Sequence, residues 1–206
     1  MYGGQNMIRK AYSAGTVKHS FWFAEFRKEV ELLSEGKSFD EIRLLNKNEN
    51  IFSAPTKARA TQIYNIVTAR VRSLDKSFYP VFLQGDLSTQ KLFTLTAVMA
   101  NDTCFFDFVY TVIREKLMIG SNEYTDADVR IFFHNIRSQN EIAEKWTDET
   151  VAKLGRTYKT MLFESGMTDK GKDVRKIHRP IMERELKNWL TSHEMSIVIE
   201  TLTGGR

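Results

Sequence analysis

Cysteine, proline and long apolar runs are scarce in this 206-residue chain, and each scarcity removes a class of protein. The one cysteine, Cys104, can close no internal disulfide and build no thiolate zinc cage. Set in Asp102-Thr103-Cys104-Phe105-Phe106, it reads as a buried thiol in a reducing compartment. No run approaches the roughly 18 apolar residues that span a bilayer. The opening MYGGQNMIRKAYSAG also lacks the apolar centre of a signal peptide. The expectation is an unprocessed cytoplasmic chain with no membrane partner.

Motifs of catalysis are missing too. There is no GxxxxGK[ST] loop, no GxGxxG and no GxSxG, so neither a phosphate cradle nor a nucleophile elbow is encoded. His19, His134, His178 and His193 stand singly, without the i, i+4 spacing or nearby cysteines of a metal site. The acid pairs Asp126 with Asp128 and Asp148 with Glu149 lie at expected helix starts, where they answer unpaired backbone N–H groups. No catalytic residue, metal ligand or cofactor is expected.

What the chain does contain is helix. Three prolines, and apolar residues recurring at three and four rather than two, predict an all-α, compact multi-helix bundle. At 42% hydrophobic and 27% charged it is ordinary globular material that can bury a sizeable core. The first helix runs from Ser20 as N-cap through Phe23, Phe26, Val30 and Leu33 to Gly36. Core packing is the default reading of Phe21, Trp22, Phe23 and Phe26, and Trp22, off that stripe, is the one of the four placed to meet a partner or another lobe instead. Ser38-Phe39-Asp40-Glu41 is a capping box for a short second helix. Pro55 suits the first position of a third, with Ile63, Ile66, Val67, Val71 and Leu74 inward. Two strongly apolar helices, Ser88 to Met99 and Thr103 to Ile119, supply the core.

Helices opened by Thr125-Asp126-Ala127-Asp128 and Thr147-Asp148-Glu149 follow, the second with Val151, Leu154, Tyr158, Leu162 and Phe163 inward. Val174, Ile177 and Ile181 around Arg179-Pro180 predict a strand or small β hairpin over about 172–182. Residues 183 to 193 and 195 to 202 return to helix. The organisation expected is one compact unit over 1–206, with two lobes: a helix-turn-helix-like part over about 1–80 and a helical bundle over about 81–206.

The functional signal is a distribution of charge. The formal net charge is only +4, which permits nucleic-acid binding without demanding it. The third helix, however, carries Lys57, Arg59, Arg70 and Arg72 with no acid between the first and the last, and Gln62 and Asn65 among them. Behind LLSEGKSFDEIR, residues 32 to 43, that order reads as a helix-turn-helix presenting a basic helix to DNA. The long loop from Asn46 to Ala54 weakens that match and shifts the reading from bases toward backbone phosphates. A second patch, Lys172, Arg175, Lys176 and Arg179, can reach a phosphate backbone from the side. The residues alone leave three readings open: DNA-binding factor, protein-protein scaffold, or RNA-binding protein.

AYSAG at 11 to 15, LLSEGKSFDEIR, Gly85-Asp86, FVYTVIREKLMIG at 108 to 120 and NEYTDADVRIFF at 122 to 133 occur in an order that resembles the BrxA family of bacterial BREX phage-defence systems. The likeness runs from about Ala11 to Gly166 and is least clear in the last forty residues. It implies an α-helical fold related to the RNA-binding antitermination factor NusB and binding of double-stranded DNA. It also implies work alongside the BREX methyltransferase and other components, and no catalytic activity. It carries over no DNA-contacting residue, so the basic positions above stand on their own.

Overall fold

A computed structural model describes residues 9–205; the first eight, over which part of the no-leader reading runs, lie outside it. A 3₁₀ turn, Ala14–Lys18, leads into three helices: α1 (Phe23–Ser34), α2 (Phe39–Glu49) and α3 (Lys57–Val71). The turn from α1 to α2 is set by Gly36, whose φ of 92° suits only a residue without Cβ. The capping box then starts α2 as its sequence demands. Ser38 Oγ accepts from the Glu41 N–H at 3.2 Å, and the Glu41 carboxylate accepts from the Ser38 N–H at 2.7 Å.

Two starts differ from the sequence reading. Helix α1 begins at Phe23 rather than after Ser20, because Trp22 sits in the left-handed region at φ 52° and ψ 48°. Helix α3 begins at Lys57, with Thr56 Oγ1 accepting from the Arg59 N–H at 3.1 Å, so Pro55 precedes the cap instead of following it. Helix α3 packs against α1, α2 and α5, which is defined below. It is therefore a core helix with a solvent strip, not the projecting reading head that a helix-turn-helix offers.

Helix α4 (Phe78–Gln84) leads to α5 (Leu87–Asn101), buried for most of its length. Asp102 ends α5 and caps the next helix through the Phe105 N–H. From there a continuous helical run is made of α6 (Thr103–Phe108), a π-helical segment (Val109–Arg114) and α7 (Glu115–Met118). The wider π turn faces the C-terminal helix α12 (Ser196–Thr203), which packs on it. Two aromatic clusters lie in the interior. Phe78 meets Phe26, Phe82, Phe93 and Trp189 at ring separations of 5.7 to 6.1 Å. Tyr158 meets Phe105, Phe108 and Phe133 at 5.0 to 5.8 Å. One connected set of buried apolar side chains, from Phe21 to Leu202, joins them. Among the described residues no single helix is long and apolar enough to cross a membrane. Helix α5 and the run Thr103–Met118 reach that composition only together, bent by 114°, and most of their apolar residues lie in this core.

Strand β1 (Glu123–Thr125) precedes α8 (Asp126–Gln139), a short α9 (Glu141–Glu144) and α10 (Asp148–Glu164). Thr125 and Asp128 form the second capping box. On α10, Leu154, Tyr158 and Leu162 are buried as read, but Phe163 is 41% exposed. Strand β2 (Val174–Lys176) pairs antiparallel with β1, Glu123 opposite Lys176 and Thr125 opposite Val174. Of the strand or small hairpin expected over about 172–182, the strand is present and the hairpin is not. The chain does turn back locally, Thr168 bridging Ile177, but the paired strand comes from far upstream. Only tertiary packing could reveal that partner, because three residues are too few to show a period of two. Helix α11 (Arg184–Ser192) then leads to α12.

Candidate nucleic-acid interface

The basic residues of α3 do not share a face. At about 100° per residue, Lys57 and Arg59 leave the helix on opposite sides. Lys57 and Arg72 are exposed on the solvent strip with Thr61 and Asn65, and the Arg72 guanidinium lies 4.2 Å above the Phe39 ring. Arg59 and Arg70 point the other way, toward Trp22.

Arg70 is 2% exposed. Its Nη1 donates to the carbonyl of Ser20 at 3.0 Å and of Phe21 at 2.7 Å. These are the carbonyls that the left-handed turn at Trp22 keeps out of α1, so the guanidinium satisfies groups that would otherwise be stranded. Burial pulls the Arg70 pKa down to about 10, while Asp102 and Glu25 oppose that fall. A cation so enclosed cannot reach a phosphate, and Arg70 leaves the set expected to bind DNA. Trp22 is also not a partner-facing residue. It is 8% exposed and lies between the guanidinium groups of Arg59, at 4.9 Å, and Arg70, at 5.6 Å.

Arg59 differs because it is only partly buried. Its Nη1 donates to the Lys18 carbonyl at 3.1 Å and to Gln62 Oε1 at 2.7 Å, leaving its other N–H groups toward solvent. Packing of α10 on the 3₁₀ turn brings Arg156, Thr157 and Thr160 up to Lys18, His19, Arg59 and Gln62. Together they line a cleft of about 460 Å³. Its lining holds three permanent cations, Lys18, Arg59 and Arg156, and no carboxylate. No described residue accepts a hydrogen bond from the Lys18 or Arg156 side chain, and Glu149, the carboxylate that feels the Arg156 charge, lies outside the lining and is itself paired with Lys153 at 2.7 Å. His19 is driven down to a pKa of about 4, by burial first and then by Arg70 and Arg59, so it is neutral at pH 7. Lys18 and Arg156 carry no sequence signal, since neither stands in a basic run.

The second expected patch divides in the same way. Arg175 donates to Asp126 Oδ1 at 3.2 Å with its side chain only 13% exposed, and Lys159 shares that oxygen at 2.8 Å. Arg179 Nη2 donates to the Leu117 carbonyl at 3.1 Å. Arg175 thereby ties β2 to the bundle and is withdrawn from the phosphate-binding set, whereas Arg179 is exposed and gives up only that one bond. Lys172 and Lys176 remain exposed.

A larger groove of about 980 Å³ runs between the π segment, α7 and α8. Its cations are already paired, Arg9 with Asp107 at 2.6 Å and Lys116 with Asp128 at 2.8 Å, and the exposed Glu115 adds a further negative charge, so the groove has no cation to offer an anion. Ser77 Oγ lies 3.0 Å from His193 Nε2, but Asp75 stands 3.8 Å from that same nitrogen. In a catalytic triad the carboxylate orients the opposite nitrogen; here His193 Nδ1 is 2.7 Å from the Trp189 carbonyl, and Trp189 Nε1 also donates to Ser77 Oγ. The cluster therefore lacks triad connectivity. Among the described residues no three His, Cys, Asp or Glu side chains gather as a metal site. The smaller, unneutralised cleft is the candidate site.

Compared with known proteins, residues 10–194 match the family model BrxA. The chain belongs to the BrxA family. The match extends past the region where motifs can be recognised, taking in β2 and α11. A curated BrxA relative, the BREX protein BrxA of Bacillus cereus (strain H3081.97), is 32% identical over 199 residues, covering 96% of this chain and 100% of the relative. The crystal structure of an uncharacterized protein from Magnetospirillum magneticum shares the fold, with a TM-score of 0.79 at 18% identity, over 95% of this chain and 100% of that one. The fold of this BrxA-family chain thus has a solved counterpart along nearly its whole length.

Proposed function

We propose that this protein is a non-enzymatic accessory factor of a BREX phage-defence system that binds double-stranded DNA through its backbone phosphates. It works in the cytoplasm beside other BREX components such as the methyltransferase. The observation that carries the reading is the cleft where Lys18, Arg59 and Arg156, from three separate elements, converge without a carboxylate in the lining. Unpaired cations held by different elements are costly to gather, because they repel one another until an anion arrives. Lys57, at the start of α3, and the exposed Lys172 and Lys176 supply further phosphate ligands.

Contact with phosphate rather than with bases follows from the amides. Gln62 Oε1 already accepts from Arg59, so it lacks the free donor and acceptor pair that reads adenine. Asn65 is the single amide on the solvent strip beside Lys57, enough for one base at most. Sequence preference is therefore slight. In a mobility-shift assay, labelled duplex is expected to be retained at low salt and released steeply as salt rises. Unrelated duplexes should compete equally, and structured RNA more weakly. Displacement by RNA at lower concentration than by duplex would make this an RNA-binding protein. Capture of BREX proteins by a chain that ignores duplex DNA at low salt would make it a scaffold.

A further inference from the structure

The cleft is built for more charge than one backbone phosphate carries. A phosphodiester has a single negative charge and is flanked by sugar on both sides. A terminal phosphate carries about −1.5 to −2 at neutral pH and is free on one side. Three cations facing one concavity match the second kind, and a volume of about 460 Å³ suits a ligand of nucleotide size. The cations are also partly fixed in advance. Arg59 is held by the Lys18 carbonyl and by the Trp22 ring, so its remaining N–H groups lose little freedom when two oxygens arrive. The bond from Arg59 occupies one lone pair of Gln62 Oε1 and leaves the two Nε2 hydrogens of Gln62 as donors.

We propose that this cleft is a phosphomonoester site, in which Lys18, Arg59 and Arg156 hold a terminal phosphate borne by a DNA end or by a free nucleotide. The proposal rests on the reading of this face as nucleic-acid-binding and names the group it selects. His19 reports on occupancy. It lies among Lys18, Arg59 and Arg70, with Arg156 across the cleft, and the repulsion that helps hold it at about 4 is relieved by an anion. Bound phosphate should move its titration up toward the ordinary 6.5.

The test uses the full chain and four probes: a duplex with 5′-phosphates, the same duplex with 5′-hydroxyls, closed circular duplex, and dAMP. The phosphorylated duplex is expected to bind about tenfold tighter than the hydroxylated one, the worth of one added charge-assisted hydrogen bond. Arg156→Gln, at an exposed position that leaves folding intact, should abolish that preference. In NMR titrations dAMP should raise the His19 midpoint in the native protein and leave it unmoved in the variant. Binding of dAMP with this His19 response, but without preference for phosphorylated ends, assigns the site to a free nucleotide. Equal affinity for both duplexes together with an unresponsive His19 overturns the proposal. If closed circular DNA is still retained in that case, the reading of the protein as a duplex binder stands; if no duplex binds while dAMP moves His19, only that broader reading falls.

Discussion

Arg70→Met is expected to destabilise the protein by about 3 kcal/mol, since it leaves two buried carbonyls without a donor and each such loss costs roughly 1–3 kcal/mol. The affected groups are the Ser20 and Phe21 carbonyls, to which Arg70 Nη1 donates at 3.0 and 2.7 Å. Methionine keeps the unbranched apolar stem, so little of the loss is a cavity. The left-handed Trp22, at φ 52°, then loses the guanidinium that holds the two residues preceding it. A melt in denaturant checks this, read against Arg72→Met two residues on. Arg72 is exposed and gives up only its contact with the Phe39 ring at 4.2 Å, worth about 0.5–1 kcal/mol at such a site. Equal losses from the two substitutions would contradict the assignment of Arg70 to the interior.

Glu29→Gln is expected to do the opposite, stabilising the protein, and only at higher pH. Glu29 on α1 is fully buried. Its Oε1 accepts from Thr68 Oγ1 at 2.7 Å, while Oε2 has no partner. Burial raises its pKa to about 8, against the smaller opposing effects of Thr68 and Arg72. Tyr64 and Tyr79 also face it. The unfolded chain therefore ionises near 4.5 while the folded one stays protonated until about 8. Stability is fully present below the lower value, declines as pH rises between the two, and then levels. Because each tenfold change in the protonation ratio is worth about 1.4 kcal/mol, the total is on the order of 5 kcal/mol. Glutamine keeps the acceptor for Thr68 and removes the titration. The two proteins should match at pH 4.5 and separate by pH 8, a difference in which all shared groups cancel. A constant difference across that range would show that Glu29 is already ionised in the native state.

These two residues mark where the sequence stops being legible. The boxes Ser38 with Glu41 and Thr125 with Asp128 can be read at once, because the atoms that decide them lie within one helical turn. The apolar stripes of α5 and α8 are legible for the same reason of periodicity. Arg59, Arg70 and Arg72 look alike in sequence because a run of cations says nothing about which side of α3 is covered. That side is set by Trp22, and its turn into the left-handed region has no local signature. Lys18 and Arg156 are invisible as a pair, since each gains meaning only when α10 packs on the 3₁₀ turn. Arg175 misleads for a related reason. Its acceptor, Asp126, lies across a strand pairing that no short segment announces.

Whether the cleft cations meet DNA is addressed most directly by one comparison: duplex affinity measured against salt for the native chain and for Arg59→Glu with Arg156→Glu, each first shown by melting to be folded. Deprived of two phosphate ligands, the variant should bind on the order of 100-fold more weakly at low salt, since a hydrogen bond to a charged group is worth about 1.5–3 kcal/mol. The logarithmic salt slope should also be shallower by about 2. Unchanged affinity with an unchanged slope would contradict this reading and remove the cleft from the DNA-binding surface.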